Sequence, residues 1–197
     1  FSLFLKFKSG VPYMNTNYYG YAGDSPWNCE HYTSADWPKG FLYMHMCHQD
    51  KAIWAESGVI LSYMNMEDVS QWAGTSIGRR GAEYEEFKRI HAERLLAEVE
   101  KHHPGFLAGV EAYYTSTPLT YQDYTGTEGG SMYGVAKDIN LGAAGRVPYR
   151  TKVPNLLLAG QNVNSHGMLG VMVGTIVTCS ELVPAEEIYR QIDQAND

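Results

Sequence analysis

The hydrophobic and polar positions of this chain follow short periods that predict both strands and helices. The first eight residues alternate large apolar and polar side chains, which is the pattern of a half-buried strand. Residues 9–40 are rich in Gly, Pro, Asn and Tyr and have no period, so they predict a long loop. Strands are predicted at residues 1–8, 41–48, 59–66 and 110–117, and a short buried strand at 155–159.

The clearest helix is predicted over residues 81–103. Apolar side chains such as Tyr84, Leu95 and Val99 recur there at helical spacing on an otherwise charged segment. Two further helices are predicted at residues 167–182 and 185–193, on either side of Pro184. Because the helix at 167–182 is apolar nearly all round, we expect it to be buried.

The order of these elements indicates the fold class. Strands and helices are mixed without regular alternation, which predicts an α+β fold, a mixed sheet with helices packed on one side. The chain contains no Gly-X-Gly-X-X-Gly sequence. A dinucleotide-binding fold is therefore not complete within these residues. The chain also starts with Phe1 inside a predicted strand, which suggests a fragment of a longer protein.

Composition narrows the range of partners and compartments. Lys and Arg total 15 against 22 Asp and Glu, so the net charge is −7, which argues against nucleic acid and anionic membranes as partners. Three cysteines give no disulfide framework and favour a reducing, cytoplasmic location. The longest apolar run, 168–179, is too short to cross a bilayer, which takes about 20 residues. A peripheral membrane contact stays open as an alternative.

The segment 153–174 carries the most chemical information. An apolar run ends at Ala159-Gly160, a polar loop follows, and a helix opens near Gly167 with few side chains in its first turn. A helix N-terminus offers unpaired N–H groups and a partial positive charge, and glycine lets a ligand approach the backbone. Gly170 and Gly174 give the helix a smooth face for another backbone or a flat ring. The alternative is a buried helix with glycines at packing contacts.

This segment resembles the C-terminal flavin-binding signature of the family of retinol saturases, phytoene desaturases and carotenoid isomerases, which lies within the amine oxidase superfamily. The resemblance includes the seven-residue step from Gly160 to Gly167 and the further step to Gly170. Residues 115–122 and 129–134 resemble a second landmark of the same family. The two landmarks together cover residues 115–183.

The resemblance implies a two-domain FAD-binding flavoprotein and assigns roles to single residues. Residues 1–150 are expected to form a substrate-domain-like region and residues 151–197 a segment that contacts FAD. Asn162 stands where relatives usually carry Asp, which keeps a hydrogen-bond acceptor for a ribityl hydroxyl without the charge. The expected cofactor-binding residues are Gly160, Gln161, Asn162, Gly167, Met168, Leu169 and Gly170, and the expected substrate-lining residues are His166, Tyr121 and Tyr133.

The implied function is that of an FAD-dependent oxidoreductase that acts on carbon–carbon double bonds of an apolar polyene, retinoid or carotenoid. The implied partners are this substrate and an N-terminal dinucleotide-binding domain of the same protein. No catalytic acid or base is assigned from the sequence. Two alternatives stay open. The chain is either a non-catalytic module that binds an apolar ligand, or part of an amine-oxidase-like flavoenzyme with a polar substrate.

The sequence also offers a possible metal site. His45, Cys47 and His48 stand close together, but on a strand His45 and Cys47 share one face while His48 lies on the other. No second cluster nearby completes a set of four ligands. We therefore expect no metal.

Overall fold

The computed structural model describes residues 1–47 and 53–196. The chain divides into two compact units, Phe1–Gly130 and Ser131–Asp197. The described elements comprise one antiparallel sheet in the first unit and helices in both, so the predicted α+β class is confirmed. The functional division into residues 1–150 and 151–197 stays a prediction.

The sheet of the first unit has five strands in the order β2-β3-β4-β1-β5, and all neighbouring strands pair antiparallel. Four of them confirm the strands predicted at 1–8, 41–48, 59–66 and 110–117, although His48 lies outside the described residues. The predicted loop 9–40 is wrong in one part, because an edge strand runs through it. The strands are β1 Ser2–Phe7, β2 Asn17–Tyr21, β3 Gly40–Met46, β4 Ser57–Ser62 and β5 Val110–Ser116.

One face of this sheet forms the core of the first unit. Side chains alternate along a strand, so Leu3 and Leu5 of β1 point to one side and are almost completely buried. Helix α1 (Ala82–His102) covers this side with its apolar stripe, which includes the fully buried Leu95 and Val99. The helix predicted at 81–103 is thereby confirmed. The opposite face of the sheet is not covered by α1.

The end of α1 is fixed by backbone and side-chain hydrogen bonds. Gly105 follows the helix with a φ of 92°, a left-handed conformation that glycine adopts without strain. The Glu100 carboxylate accepts hydrogen bonds from the N–H groups of Gly105 and Leu107, both at 2.7 Å. These two N–H groups hold the pKa of Glu100 below its ordinary value. A four-residue helix, α2 (Phe106–Gly109), then leads into β5.

Helix α3 (Pro118–Thr125) was not predicted from the apolar pattern, because only Pro118 and Leu119 of its eight residues are buried. Its start does carry a local signal. The Thr117 and Thr120 side chains form a reciprocal capping box, and Pro118 occupies the first helical turn. A Thr-Pro pair before a polar segment would have indicated this helix.

The second unit contains α4 (Gly167–Cys179) and α5 (Ala185–Asn196), which confirm the two predicted C-terminal helices. The predicted buried strand at 155–159 is wrong, because only Leu157 forms an isolated bridge, with Arg150. Asn155 turns the chain with a φ of 63°, which interrupts the extended backbone. The expectation that α4 is buried is also wrong, since Met168 and Leu169 are 86% and 76% exposed.

Candidate functional site

All seven residues predicted to bind a cofactor lie in the second unit. Residues 131–137 and 160–170, which we call the loop cluster, are joined by hydrogen bonds. The Asn162 Oδ1 atom accepts the N–H of Val135 at 2.9 Å, and the Lys137 ammonium donates to the Gln161 carbonyl at 3.1 Å. A Cβ on Gly134 would stand 2.1 Å from the same Asn162 oxygen, so only glycine is accommodated there. Asn162 therefore orders the loop cluster from within.

The start of α4 is open. His166 is the N-cap residue, but its side chain makes no capping hydrogen bond. Gly167 begins the helix with a φ of 76°, and Gly160 has a φ of 105°. A Cβ at either glycine would meet no atom within 4 Å. The backbone N–H groups of the first turn can thus be approached by a ligand, and the helix dipole gives that end a partial positive charge.

Two glycines of α4 have a packing role. A Cβ on Gly170 would lie 2.7 Å from the Ser165 Cβ and 2.8 Å from its carbonyl carbon. A Cβ on Gly174 would lie 3.2 Å from the Asn164 Cβ. The smooth face of α4 therefore lies against the loop that precedes it. The structure therefore supports the prediction that these glycines make packing contacts. Nothing at these two positions supports a contact with a flat ring.

The three predicted substrate-lining residues lie in two places. Tyr133 and His166 stack in the loop cluster with ring centroids 4.6 Å apart and an interplanar angle of 39°. Tyr133 is half exposed, so this pair presents an aromatic surface beside the start of α4. Tyr121 lies in the first unit on α3, where its hydroxyl is 2.5 Å from the Ser2 hydroxyl oxygen.

The sheet face turned away from α1 is mostly apolar, with Lys6 at one end of β1, and we call it the outer sheet face. The register places its side chains in rows across the strands: Tyr19, Leu42, Leu61 and Ser2 form one row. The next row contains Asn17, Met44, Val59, Phe4 and Tyr114. Phe4, Tyr19 and Tyr114 are 42%, 67% and 73% exposed. Exposed apolar patches of this kind mark ligand or partner surfaces. Tyr121 lies at the end of the first row, beside Ser2.

The sequence signal for this face was present but ambiguous. Leu42, Met44 and Met46 recur at every second position of β3, which indicated one apolar side of that strand. The opposite side carries Phe41 and Tyr43, which are buried in the core. A strand that is apolar on both sides does not reveal which face meets the core, and only the position of α1 decides it.

A groove with a volume of about 680 Å³ lies in the first unit, beside the end of α1 and the segment that follows β1. Its lining includes Phe7, Val11, Phe106, His45 and His103. The Met14 N–H donates to His45 Nδ1 at 3.0 Å, and His45 Nε2 lies 2.5 Å from the Tyr43 hydroxyl. Burial, and then the neighbouring His103, lower the pKa of His45. His45 is therefore a neutral, half-buried residue whose two ring nitrogens are both hydrogen-bonded.

The metal interpretation finds no support in the described part of the chain. Both ring nitrogens of His45 are engaged in hydrogen bonds, and His48 lies outside the described residues. Within residues 1–47 and 53–196, no group of three or more His, Cys, Asp or Glu side chains is placed to hold a metal ion. Within the same ranges, no helix combines the length and hydrophobicity that crossing a membrane requires.

Comparison with known proteins relates the chain to one class of oxidoreductase. It is similar to the all-trans-retinol 13,14-reductases of Rattus norvegicus and Homo sapiens, each 28% identical over 125 residues, which is 62% of this chain. The Macaca fascicularis protein of the same name is 26% identical over 152 residues, or 73% of this chain. The predicted resemblance to the retinol saturase group is thus confirmed. No protein-family model matches the chain.

The matches cover only part of each relative. The aligned segment amounts to 20% of the rat and human proteins and 24% of the macaque protein. The chain therefore spans about a fifth to a quarter of the length of the curated relatives it matches.

Proposed function

We propose that this chain is part of an FAD-dependent oxidoreductase that acts on carbon–carbon double bonds of an apolar retinoid or a similar polyene. The similarity to all-trans-retinol 13,14-reductases supports the reaction class. The observation that carries the proposal is the outer sheet face, a row-ordered apolar surface that includes Leu42, Met44 and Leu61 and stays uncovered by α1. The first unit then supplies the substrate surface.

The outer sheet face suits a long conjugated hydrocarbon. Its side chains stand on paired strands, so their positions are set by the register before a substrate arrives. Covering apolar surface releases about 25 cal/mol per Å². A polyene laid along the rows would exclude water from Leu42 and Met44 and be held without charged groups, which is what a substrate with few polar atoms requires.

The start of α4 fits the anionic and polar parts of a flavin cofactor. Open N–H groups at Gly167, Met168 and Leu169, with Gly160 nearby in sequence, would hold such a group through the backbone. Asn162 fits less directly, because its Oδ1 already accepts the Val135 N–H. Bound FAD supplies hydride transfer to or from a carbon–carbon double bond.

The proposed protein partner is the dinucleotide-binding domain of the same polypeptide. The exposed apolar side chains of α4, which include Met168, Leu169 and Met172, support a surface that another domain covers. Contact with this surface would not require charged groups on the other domain, because these side chains are uncharged. The alternative of an apolar-ligand module without catalysis shares the outer sheet face and differs only in having no turnover.

All-trans-retinol binding tests the role of the outer sheet face. We expect retinol to quench the intrinsic fluorescence of the purified chain, and Met44→Gln together with Leu61→Gln to weaken binding about tenfold, or 1.4 kcal/mol. Ile90→Gln is the matched control, since Ile90 is exposed on α1 and away from the sheet face. Equal binding by all three proteins would exclude the face. An amine that binds and is oxidised where retinol is not would favour the amine-oxidase alternative.

Flavin binding tests the start of α4 separately. Gly167→Asp places a carboxylate at the positive end of the helix, on a residue with a φ of 76°. We expect flavin absorbance of the parent protein to be lost in this variant, because the carboxylate repels an anionic cofactor. Gly126→Asp, at the C-cap of α3 with a φ of 67°, controls for backbone strain. Equal flavin content in both variants would contradict the assignment.

A further inference from the structure

The short helix α3 carries Tyr121 to the outer sheet face and depends on tertiary contacts for its position. A helix of eight residues is too short to be stable alone in water. Its Leu119 is buried in a small cluster with Val69, Trp72 and Tyr84. The Tyr121 hydroxyl meets Ser2 of β1 at 2.5 Å. A second anchor on the opposite side of α3 would therefore hold Tyr121 more firmly.

That second anchor is Arg80. Its guanidinium donates to the Asp123 carboxylate at 2.6 Å, and the two side chains are only 6% and 22% exposed. Asp123 stands two residues after Tyr121, which places the two side chains on roughly opposite sides of the helix. The ion pair and the Tyr121–Ser2 hydrogen bond thus hold α3 from two sides.

The surroundings of Arg80 favour arginine over lysine. The guanidinium lies over the Tyr84 ring, 5.4 Å from its centroid, and the Tyr84 hydroxyl is 2.7 Å from the Thr117 Oγ1 at the N-cap of α3. Among the described residues, Arg80 Nε has no hydrogen-bond partner although it is buried. A buried charge that is only partly satisfied is costly, and in some proteins such pairs fix one arrangement of neighbouring elements.

We propose that Arg80 is a positioning residue, which fixes α3 and thereby sets Tyr121 at the end of the substrate surface. This inference rests on the proposed function for its effect on substrate. The placement of Tyr121 itself can be measured without any substrate.

The first test follows Tyr121 directly in the isotope-labelled protein. Arg80→Ala is expected to shift the Tyr121 ring resonances and to speed amide hydrogen exchange across residues 119–125 at least tenfold. Arg80→Lys keeps the charge without the planar stack on Tyr84 and is expected to give a smaller change in the same direction, so it serves if Arg80→Ala does not fold. Arg89→Ala is the control, because Arg89 is exposed on α1 and pairs with Glu86 and Glu93. Unchanged exchange and unchanged Tyr121 resonances in a folded Arg80 variant would overturn the proposal.

The second test asks whether Arg80 acts through Tyr121. Arg80→Lys is expected to weaken retinol binding about fivefold in the wild-type background and to have no further effect in a Tyr121→Ala background, because the side chain that Arg80 positions is absent there. Independent, multiplying losses would contradict positioning through Tyr121. If no variant binds retinol while the Tyr121 resonances still shift with Arg80, the proposed function fails and the positioning role stands.

Discussion

The side chain of Asn162 stabilises the loop cluster through a hydrogen bond within the protein rather than through contact with a ligand. The sequence predicted its amide oxygen as an acceptor for a cofactor hydroxyl. In the structure the same oxygen accepts the Val135 N–H at 2.9 Å and approaches Gly134 so closely that no side chain fits there. An aspartate at this position would make the same bond with a full negative charge, which strengthens a hydrogen bond from a backbone N–H.

Replacing Asn162 with Ala should loosen the loop cluster. The lost hydrogen bond leaves the Val135 N–H without its acceptor, and one such bond contributes about 1 kcal/mol to the free energy of unfolding. We expect amide hydrogen exchange at Val135 to quicken about fivefold in Asn162→Ala. Asn162→Asp keeps the acceptor and is the matched control, with protection equal to or above that of the wild type. Equal exchange rates in all three proteins would show that this bond does not order the loop.

At the scale of elements, the packing of α4 depends on the glycine at position 170. Ala usually stabilises a helix interior relative to Gly by about 1 kcal/mol. At position 170 an added Cβ meets the Ser165 backbone at 2.8 Å, which a change of side-chain rotamer cannot relieve. Overpacking of this kind costs about 1–3 kcal/mol. The clash therefore outweighs the helix propensity.

Urea unfolding of the Gly170→Ala and Gly174→Ala variants tests this balance. We expect Gly170→Ala to lower the free energy of unfolding by about 1–2 kcal/mol. Gly174→Ala has its nearest neighbour at 3.2 Å, the Asn164 Cβ, so its small clash and the gain in helix propensity should roughly cancel. A stabilised Gly170→Ala variant would mean that the loop at 164–165 moves aside at no cost.

Local sequence predicted the elements whose apolar side chains repeat with one period, and it missed those that depend on pairing. Helix α1 was predicted because Leu95 and Val99 lie on one buried stripe. Strand β2 was missed because its sequence Asn-Tyr-Tyr-Gly-Tyr has no period, and its extended form comes from pairing with β3. Residues 155–159 were predicted as a strand from their leucines, but within the described part of the chain they pair only through the single bridge at Leu157.

For the candidate site, too, the sequence predicted local segments but not the contacts that depend on tertiary structure. The resemblance brought Gly160, Gln161, Asn162 and Gly167 into one segment, and the structure places them in one loop cluster. The outer sheet face required the order of five strands and the side on which α1 packs. That information is tertiary, because both faces of β3 are apolar. The exposure of α4 is also tertiary information. Its apolar composition led to the prediction that it is buried, but most of its apolar side chains are exposed.

For the molecule as a whole, three half-buried histidines link the stability of the first unit to pH. His91 lies among the rings of Phe87 and Trp37, at centroid distances of 4.0 and 4.8 Å. His45 and His103 line the groove near the end of α1. Burial is the main cause that lowers the pKa of each of the three below its ordinary value of 6.5. The folded state therefore favours the neutral form of all three.

The sign of the pH dependence follows from these lowered pKa values. Above pH 6.5 the histidines are neutral in both states, and their contribution to stability is fully present. As the pH falls below 6.5 the unfolded chain binds protons more readily, so stability decreases until the lowered pKa values are passed. Glu100, whose pKa lies below its ordinary 4.5, loses its contribution only at lower pH. The histidine contribution therefore begins to fall near pH 6.5, before that of Glu100 does.

Urea unfolding between pH 7.5 and 5 should show this loss, and His103→Gln should flatten it. Glutamine keeps a polar end in place of the buried His103 Nε2, which has no hydrogen-bond partner among the described residues, but it binds no proton. The Phe1 amino group, whose pKa burial lowers to about 5, titrates in the same direction but is common to every protein compared. His31→Gln is the matched control, because the His31 side chain is 79% exposed, and its slope should equal that of the wild type. A His103→Gln slope as steep as that of His31→Gln would show that burial of His103 does not couple folding to pH.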